Sequence, residues 1–186
     1  MVGRLARLSI KRKAAAEAGE DNDHDFRALK YPDRLRMVQK NKDEGTELFK
    51  GGNYRPACAR YTKAMSHAAK FRDCSPEQKA EVDALKLSLY LNLAQCYIKL
   101  EARDNARKNC DEAILLDSSS SKAYYRMAYC KVATKDYVGA VADLKRCASM
   151  CPESEAKACE KLLATAERGV KADKMKQKKM AAKMFG

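Results

Sequence analysis

Small and apolar residues recur three and four positions apart through most of the chain, and short polar segments interrupt the pattern. This spacing places them on one face of an α-helix, so it predicts a series of amphipathic helices. Three alanines stand at equivalent points of a repeated pattern: Ala57, Ala106 and Ala140. A second small residue precedes each of them by 12 positions: Gly45, Ala94 and Ala128. We expect these small residues where two helices approach closely.

The repeat has a regular length. Ala106 and Ala140 are 34 residues apart, as are Ala94 and Ala128. A 34-residue period is typical of tetratricopeptide repeats, each of which is one helix-turn-helix unit. The interval from Gly45 to Ala94 is 49 residues, which is one period with a 15-residue insertion. Repeats of this kind stack into a concave surface that binds partners, so the pattern indicates a binding function.

Two further positions follow the repeat. Four residues after each alanine the side chain is apolar: Tyr61, Cys110 and Leu144. Three residues after each upstream small residue the side chain is apolar in two repeats, as Leu48 and Tyr97, whereas Lys131 departs from the pattern.

The pattern predicts an all-α fold of seven helices, with three repeats and a C-terminal capping helix in a right-handed superhelix. We expect the helices at about residues 32–50, 53–72, 76–100, 104–117, 122–134, 137–150 and 153–184. The corresponding domains are an N-terminal tail over 1–30, repeats over 31–152 (34–72, 76–117 and 121–151) and an extension over 153–186. The extension is predicted because a repeat array needs a terminal element with a polar outer face.

Two local signals support these bounds. Gly51 and Gly52 end the first helix, because glycine readily adopts the positive φ of a helix C-terminus. Ser75, Pro76 and Gln78 form a helix start, with a serine cap, a proline in the first turn and a glutamine at the third position. The insertion is assigned to lengthening of both helices that flank Cys74.

The net charge of +13 is concentrated in the two ends of the chain. Residues 1–13 carry a net charge of +5, and residues 171–183 carry another +5. Because the region between them is nearly balanced, we expect no specific nucleic-acid partner. The front, MVGRLARLSIKRK, faintly resembles a mitochondrial presequence, although a flexible tail is the preferred interpretation, followed by the polar, disordered segment EDNDHD.

The eight cysteines contain no Cys-x-x-Cys pair, and the closest spacing is Cys147 to Cys151. Most lie at helical packing positions, so we interpret them as reduced core thiols and predict no metal site. The histidines, His24 and His67, are far from any metal-ligand spacing, and we expect His67 to be partly exposed. No phosphate-binding loop or catalytic triad pattern is present, and no cofactor is predicted. No stretch reaches the about 18 apolar residues that a membrane span needs.

Five polar residues are expected on the first helices of the repeats, which line the concave groove: Lys42, Thr46, Asn92, Lys122 and Arg126. Lys42 and Thr46 are four residues apart and share one helix face. Lys122 and Arg126 have the same spacing, at which two cations repel each other slightly unless an anion lies near both. Asn92 stands within an apolar run, and its amide can donate to a carboxylate. This set suits a ligand with two carboxylates close together, such as a C-terminal aspartate.

These residues resemble the dicarboxylate clamp of co-chaperone tetratricopeptide domains, and about residues 34–184 are similar to the repeat half of the large immunophilins. The stretches that carry the resemblance are KDEGTELFKGGNY, YLNLAQCYIKL, SKAYYRMAYC and the ending MAAKMFG. The resemblance implies binding of the C-terminal Glu-Glu-Val-Asp of heat-shock protein 90 or 70. It also implies that Lys42, Asn92 and Lys122 hold the terminal residue and that Arg126 contacts the peptide upstream. Thr46 stands where many clamp domains have asparagine.

Immunophilins carry an isomerase domain ahead of the repeats, whereas about 30 residues precede them here, so we expect a non-enzymatic adaptor. Two alternatives remain open at this stage. One is a scaffold for another acidic peptide or an assembly factor. The other is a calmodulin or membrane-surface target formed by the basic terminal helix, with Met175, Met180 and Met184 among lysines. The expected location is the cytoplasm, with the nucleus as the alternative.

Overall fold

The computed structural model describes residues 29–185, which form seven α-helices and no strand. The helices are α1 (Tyr31–Lys50), α2 (Tyr54–Ala68), α3 (Pro76–Lys99), α4 (Arg103–Leu116), α5 (Ser121–Ala133), α6 (Tyr137–Met150) and α7 (Glu153–Phe185). The predicted all-α class and helix count are confirmed. The tail signals of residues 1–28 lie outside the described residues. No helix of the described part combines the length and the apolar character needed to cross a bilayer.

The prediction for the second helix was wrong at its C-terminus, since α2 ends at Ala68 and does not continue to Arg72. The chain turns away here because the ring of Phe71 packs edge-on against Tyr31 of α1, with ring centroids 5.5 Å apart. The insertion therefore does not lengthen both helices around Cys74. It lies in the connection over residues 69–75 and in α3, which has 24 residues where α5 has 13.

The capping box that starts α3 is formed as predicted. The Ser75 hydroxyl accepts from the Gln78 amide at 3.3 Å, and the Gln78 side chain accepts from the Ser75 amide at 3.0 Å. This reciprocal pair satisfies two backbone donors that the first turn of a helix leaves without partners. It fixes where α3 begins, and α3 supplies the central wall of the concave face.

The turn inside each repeat has the same backbone shape. One residue in each has a positive φ: Gly52 at 78°, Glu101 at 58° and Lys135 at 65°. In every case the next amide donates to the carbonyl five residues earlier at 2.9 Å, which closes the end of the first helix. Only the first of these turns uses glycine, so only that one was visible as a glycine signal in the sequence.

Within each repeat the two helices meet at the small residues. A Cβ atom on Gly45 would lie 2.8 Å from the Tyr61 ring, closer than real contacts allow, so glycine is required there. In the next two repeats alanine is tolerated because the facing residue is smaller: Ala94 packs with Cys110 and Ala128 with Leu144. The size of the small residue therefore matches the residue that the repeat places opposite it.

Lys131, which departs from the apolar pattern, is held by a charge partner. Its Nζ lies 2.7 Å from Asp143 Oδ2 of α6, and both side chains are less than one-fifth exposed. The ion pair therefore joins α5 to α6 at the position where the first two repeats use Leu48 and Tyr97.

Each helix packs against the next one along the chain, so the core is a row of small clusters and not one central core. The helices α1, α3, α5 and α7 also contact one another in that order, whereas α2, α4 and α6 have no mutual contact among the described residues. Helices that approach on one side and diverge on the other give a curved array. The face formed by α1, α3 and α5 is the concave one.

Candidate functional site

A single face of α3 forms the middle of the concave surface. Ser88, Asn92 and Gln95 follow one another at spacings of four and three residues, so their side chains lie on one side of the helix. Ser88 lines a depression between α1 and α3, and Gln95 lines a second depression between α3, α5 and α7. We call these the α1 depression and the α5 depression, and the surface that joins them along α3 the groove. With a rise of about 1.5 Å per residue, Ser88 and Gln95 are about 10 Å apart along the helix axis.

The α1 depression contains Lys42. Its other lining residues come from the same turns of α1 and from α3: Leu35, Arg36, Gln39, Glu81, Ala84, Leu85 and Ser88. Lys42 is partly exposed, so its ammonium group reaches the surface of the groove.

Thr46 lies one turn after Lys42 on α1. Its hydroxyl donates to the Lys42 carbonyl at 2.9 Å and lies 3.1 Å from the hydroxyl of Tyr61. Because its proton is used by the backbone, Thr46 has little capacity left to donate to a ligand. This contact gives a physical reason to expect a smaller role for Thr46 than for the cations.

The α5 depression contains both cations of α5. Arg126 is partly buried, and its Nη1 donates to the carbonyl of Leu91 on α3 at 2.6 Å. Burial lowers the pKa of Arg126, while Cys110 and Glu155 act in the opposite direction. A guanidinium stays protonated at neutral pH, so Arg126 is a fixed cation in a partly desolvated place. Its bond to Leu91 sets it beside Asn92, the next residue of α3.

Lys122 lies one turn before Arg126, and its Nζ is 3.6 Å from Glu155 Oε1 of α7. The Lys122 side chain is 59% exposed and that of Glu155 is 39% exposed, so water competes with this pair. Glu155 is a site residue that the sequence analysis missed. It lies outside the repeats, and nothing in its surroundings along the chain indicates that α7 folds back onto α5.

The side chain of Asn92 is partly exposed and makes no hydrogen bond to another described residue. The five predicted residues thus occupy three helices that border one groove. Lys42 and Thr46 are at the α1 end, Lys122 and Arg126 share the α5 depression, and Asn92 lies on the α3 face between them. The α5 depression has a volume of about 230 Å³, below the roughly 300–1,000 Å³ of a pocket that encloses a small-molecule ligand. Its size and charge suit the end of an acidic chain that continues along the groove.

Comparison with known families identifies two repeats. The model of the tetratricopeptide repeat matches residues 87–120 and 121–154. The matched segments cover the second half of α3 with α4, and α5 with α6, in agreement with the 34-residue period. The first repeat, which contains the insertion, is not matched by this model.

Curated relatives include peptidyl-prolyl cis-trans isomerases. The chain is 33% identical over 144 residues to FKBP4 of Bos taurus and of Homo sapiens, which is 77% of this chain and 31% of each relative. FK506-binding protein 5 of Rhizopus delemar is 34% identical over 105 residues, 56% of this chain and 27% of the relative. The chain therefore spans less than a third of the length of these relatives. The described residues form a repeat array with a terminal helix and contain no isomerase domain.

Solved structures share the fold. The C-terminal tetratricopeptide-containing domain of a Plasmodium falciparum FK506-binding protein matches with a TM-score of 0.69 at 20% identity, covering 82% of this chain and 99% of that one. The TPR2B domain of yeast Sti1 matches with 0.60 at 23% identity, covering 72% and 98%. The second repeat domain of human RPAP3 matches with 0.58 at 25% identity, also covering 72% and 98%. The chain is therefore a tetratricopeptide-repeat protein, with an array homologous to the repeat region of the isomerase FKBP4.

Proposed function

We propose that this protein is a co-chaperone adaptor whose groove binds the acidic C-terminal peptide of heat-shock protein 90 or heat-shock protein 70 through a dicarboxylate clamp. The observation that carries the proposal is the α5 depression, where Lys122 and Arg126 lie together beside the polar face of α3. Two cations in one small concavity attract a group with more than one negative charge. A chain that ends in aspartate presents two carboxylates on its last residue.

Structures with the same fold support the choice of ligand. The TPR2B domain of yeast Sti1 was solved with an Hsp70 peptide, and the second domain of human RPAP3 with the HSP70 peptide SGPTIEEVD. A domain of Spaghetti (RPAP3) was solved with the HSP90 peptide SRMEEVD. These peptides are acidic and end in aspartate, as the groove chemistry requires.

The geometry assigns distinct roles to the clamp residues. Lys122 and Lys42 are the exposed and partly exposed cations that meet the carboxylates, and the amide of Asn92 donates between them. Arg126 is already bound to the Leu91 carbonyl through one nitrogen, and a guanidinium has further N–H groups for a peptide oxygen. Before it binds the peptide, Lys122 exchanges its contact with Glu155 for one with the ligand. This exchange costs little because the Lys122–Glu155 pair is exposed to water.

Calorimetry with a peptide that ends in Glu-Glu-Val-Asp tests the proposal. We expect a dissociation constant near 1 μM, which corresponds to about −8 kcal/mol. A hydrogen bond to a charged group contributes about 1.5–3 kcal/mol. Lys122→Ala or Lys42→Ala should therefore weaken binding by about ten-fold or more, and Thr46→Ala by less.

Lys108→Ala is the matched control, because Lys108 is an exposed lysine on α4, away from the groove. It removes the same charge, so it should leave the affinity nearly unchanged. Equal affinities for Lys122→Ala and Lys108→Ala would contradict the proposed site. Circular dichroism of each variant verifies that the helices are retained.

The rival interpretations have separate outcomes. A scaffold for a different acidic peptide would show the same dependence on Lys122 but would bind Glu-Glu-Val-Asp no better than an unrelated acidic sequence. The comparisons named above give calmodulin no support. Location in the cytoplasm follows from the proposed partner and stays a prediction.

A further inference from the structure

Three cysteine thiols meet where the last repeat joins the terminal helix. Cys147 is in the last turn of α6, Cys151 is the residue that ends this helix, and Cys159 is in the second turn of α7. Their Sγ atoms all lie within 4.8 Å of one another. Cys147 and Cys159 are 2% and 1% exposed, and Cys151 is intermediate. The sequence indicated only the spacing of Cys147 and Cys151, because Cys159 reaches them through the fold of α7 onto α6.

This arrangement matches what a thiophilic metal ion requires. With a metal–sulfur bond of about 2.3 Å, the sulfurs around one ion are about 3.8–4.0 Å apart, which is within the spread of the three thiols. Soft thiolate ligands select d10 ions such as Zn²⁺ and Cu⁺ over hard cations. A disulfide would use only two of the sulfurs, so it leaves the convergence of the third unexplained.

The surroundings are suited to thiolates and to entry of an ion. Cys151 lies two residues before the start of α7, where the free amides and the helix dipole stabilise negative charge. Cys147 also lines the α5 depression, so one side of the cluster faces a surface that is open to solvent. The contacts that the thiols now make are weak: Cys159 donates to the Leu144 carbonyl at 3.5 Å and Cys151 to the Ala148 carbonyl at 3.8 Å. Metal binding would replace them at little cost.

We propose that Cys147, Cys151 and Cys159 form a three-thiolate site for a thiophilic d10 metal ion, Zn²⁺ or Cu⁺, which fastens α7 to the last repeat. The ion displaces one proton from each thiol and forms three metal–sulfur bonds, with no change of oxidation state. Since two ligands come from the end of α6 and one from α7, the bound ion links the two helices directly. The site is separate from the groove cations and does not depend on the peptide that the groove binds.

Metal titration of the reduced full chain under anaerobic conditions tests the proposal. Zn²⁺ and Cu⁺ are supplied in separate experiments, each against a competing chelator of known affinity. We expect one ion per chain, three sulfur neighbours in X-ray absorption of the bound ion, and a higher melting temperature in the loaded protein. Alkylation followed by peptide mass analysis should show these three thiols protected together. A fourth, lighter neighbour is expected for Zn²⁺ and none for Cu⁺.

Cys151→Ser and Cys74→Ser form the matched pair of variants. Both cysteines have intermediate exposure and lie outside helices, so neither substitution opens a core cavity. Cys151→Ser should weaken binding by at least about ten-fold and remove the rise in melting temperature, whereas Cys74→Ser should bind as the unaltered protein does. The proposal is overturned if the unaltered chain binds neither ion, if fewer than three sulfurs surround the ion, or if the two variants bind equally well.

Discussion

Two cations of the groove are positioned by partners that belong to other helices. Arg126 is fixed by the Leu91 carbonyl of α3, and Lys122 by the Glu155 carboxylate of α7. The first contact leaves a cation in place for a ligand, whereas the second puts a competing anion in the depression. Glu155 is therefore expected to oppose the binding of an acidic peptide.

Glu155→Gln is predicted to strengthen binding of a peptide that ends in Glu-Glu-Val-Asp. The substitution keeps the size of the side chain and removes the charge that competes for Lys122. Because an exposed ion pair is worth about 0–1 kcal/mol, the gain should be about two- to five-fold, measured by calorimetry at low salt.

Glu153→Gln serves as its control, since Glu153 is exposed in the same first turn of α7 and is not paired with Lys122. A gain of the same size in both variants would assign the effect to the net charge of the protein and not to the contact with Lys122.

The cations could be named from the sequence because the repeat fixes the register of each helix, and the register decides which side chains face the groove. Their partners could not, because they depend on how neighbouring helices dock. Glu155 is the example at the site, and His67 is another. The sequence analysis placed His67 at a partly exposed position, but it is 3% exposed because α2 is packed between α1 and α3.

At the scale of elements, the turns inside the repeats set the angle between paired helices and hence the shape of the concave face. All three turns place one residue at positive φ, but with three different residue types, Gly52, Glu101 and Lys135. The glycine pair at 51–52 predicted the first turn, whereas the others follow from the repeat period alone. The end of α2 could not be predicted, because the packing of Phe71 on Tyr31 stops the helix, and no breaking residue marks the place.

Gly52→Ala is predicted to lower the free energy of unfolding by about 1–2 kcal/mol, because a left-handed backbone brings a Cβ atom close to the following carbonyl oxygen. No other atom lies within 4 Å of the place of that Cβ, so the whole effect belongs to the backbone. Urea denaturation followed by circular dichroism measures it.

Gly51→Ala provides the comparison, as Gly51 has a φ of −74° and a Cβ there would make ordinary contacts. Its effect should remain within about 0.5 kcal/mol of zero or be stabilising. The explanation of the turn is wrong if the two variants are destabilised equally.

At the scale of the whole molecule, the curvature brings separate helices to one ligand. The helices α1, α3 and α5 meet on the concave side, so charges that are 80 residues apart in the sequence, at Lys42 and Lys122, border one groove. The fold class and the groove-lining helices follow from the period of the sequence. The insertion in the first repeat and the docking of α7 do not, because neither obeys that period.

The central claim is that this groove recognises the end of an acidic chain, and the most direct measurement compares two peptides that differ only at that end. One ends in Glu-Glu-Val-Asp as the free acid, and the other has the same sequence with an amidated C-terminus. The clamp predicts that calorimetry finds micromolar binding for the free acid, weakening as salt is added, and the loss of most of the affinity on amidation. Equal binding of the two peptides would show that the terminal carboxylate is not recognised and would contradict the clamp.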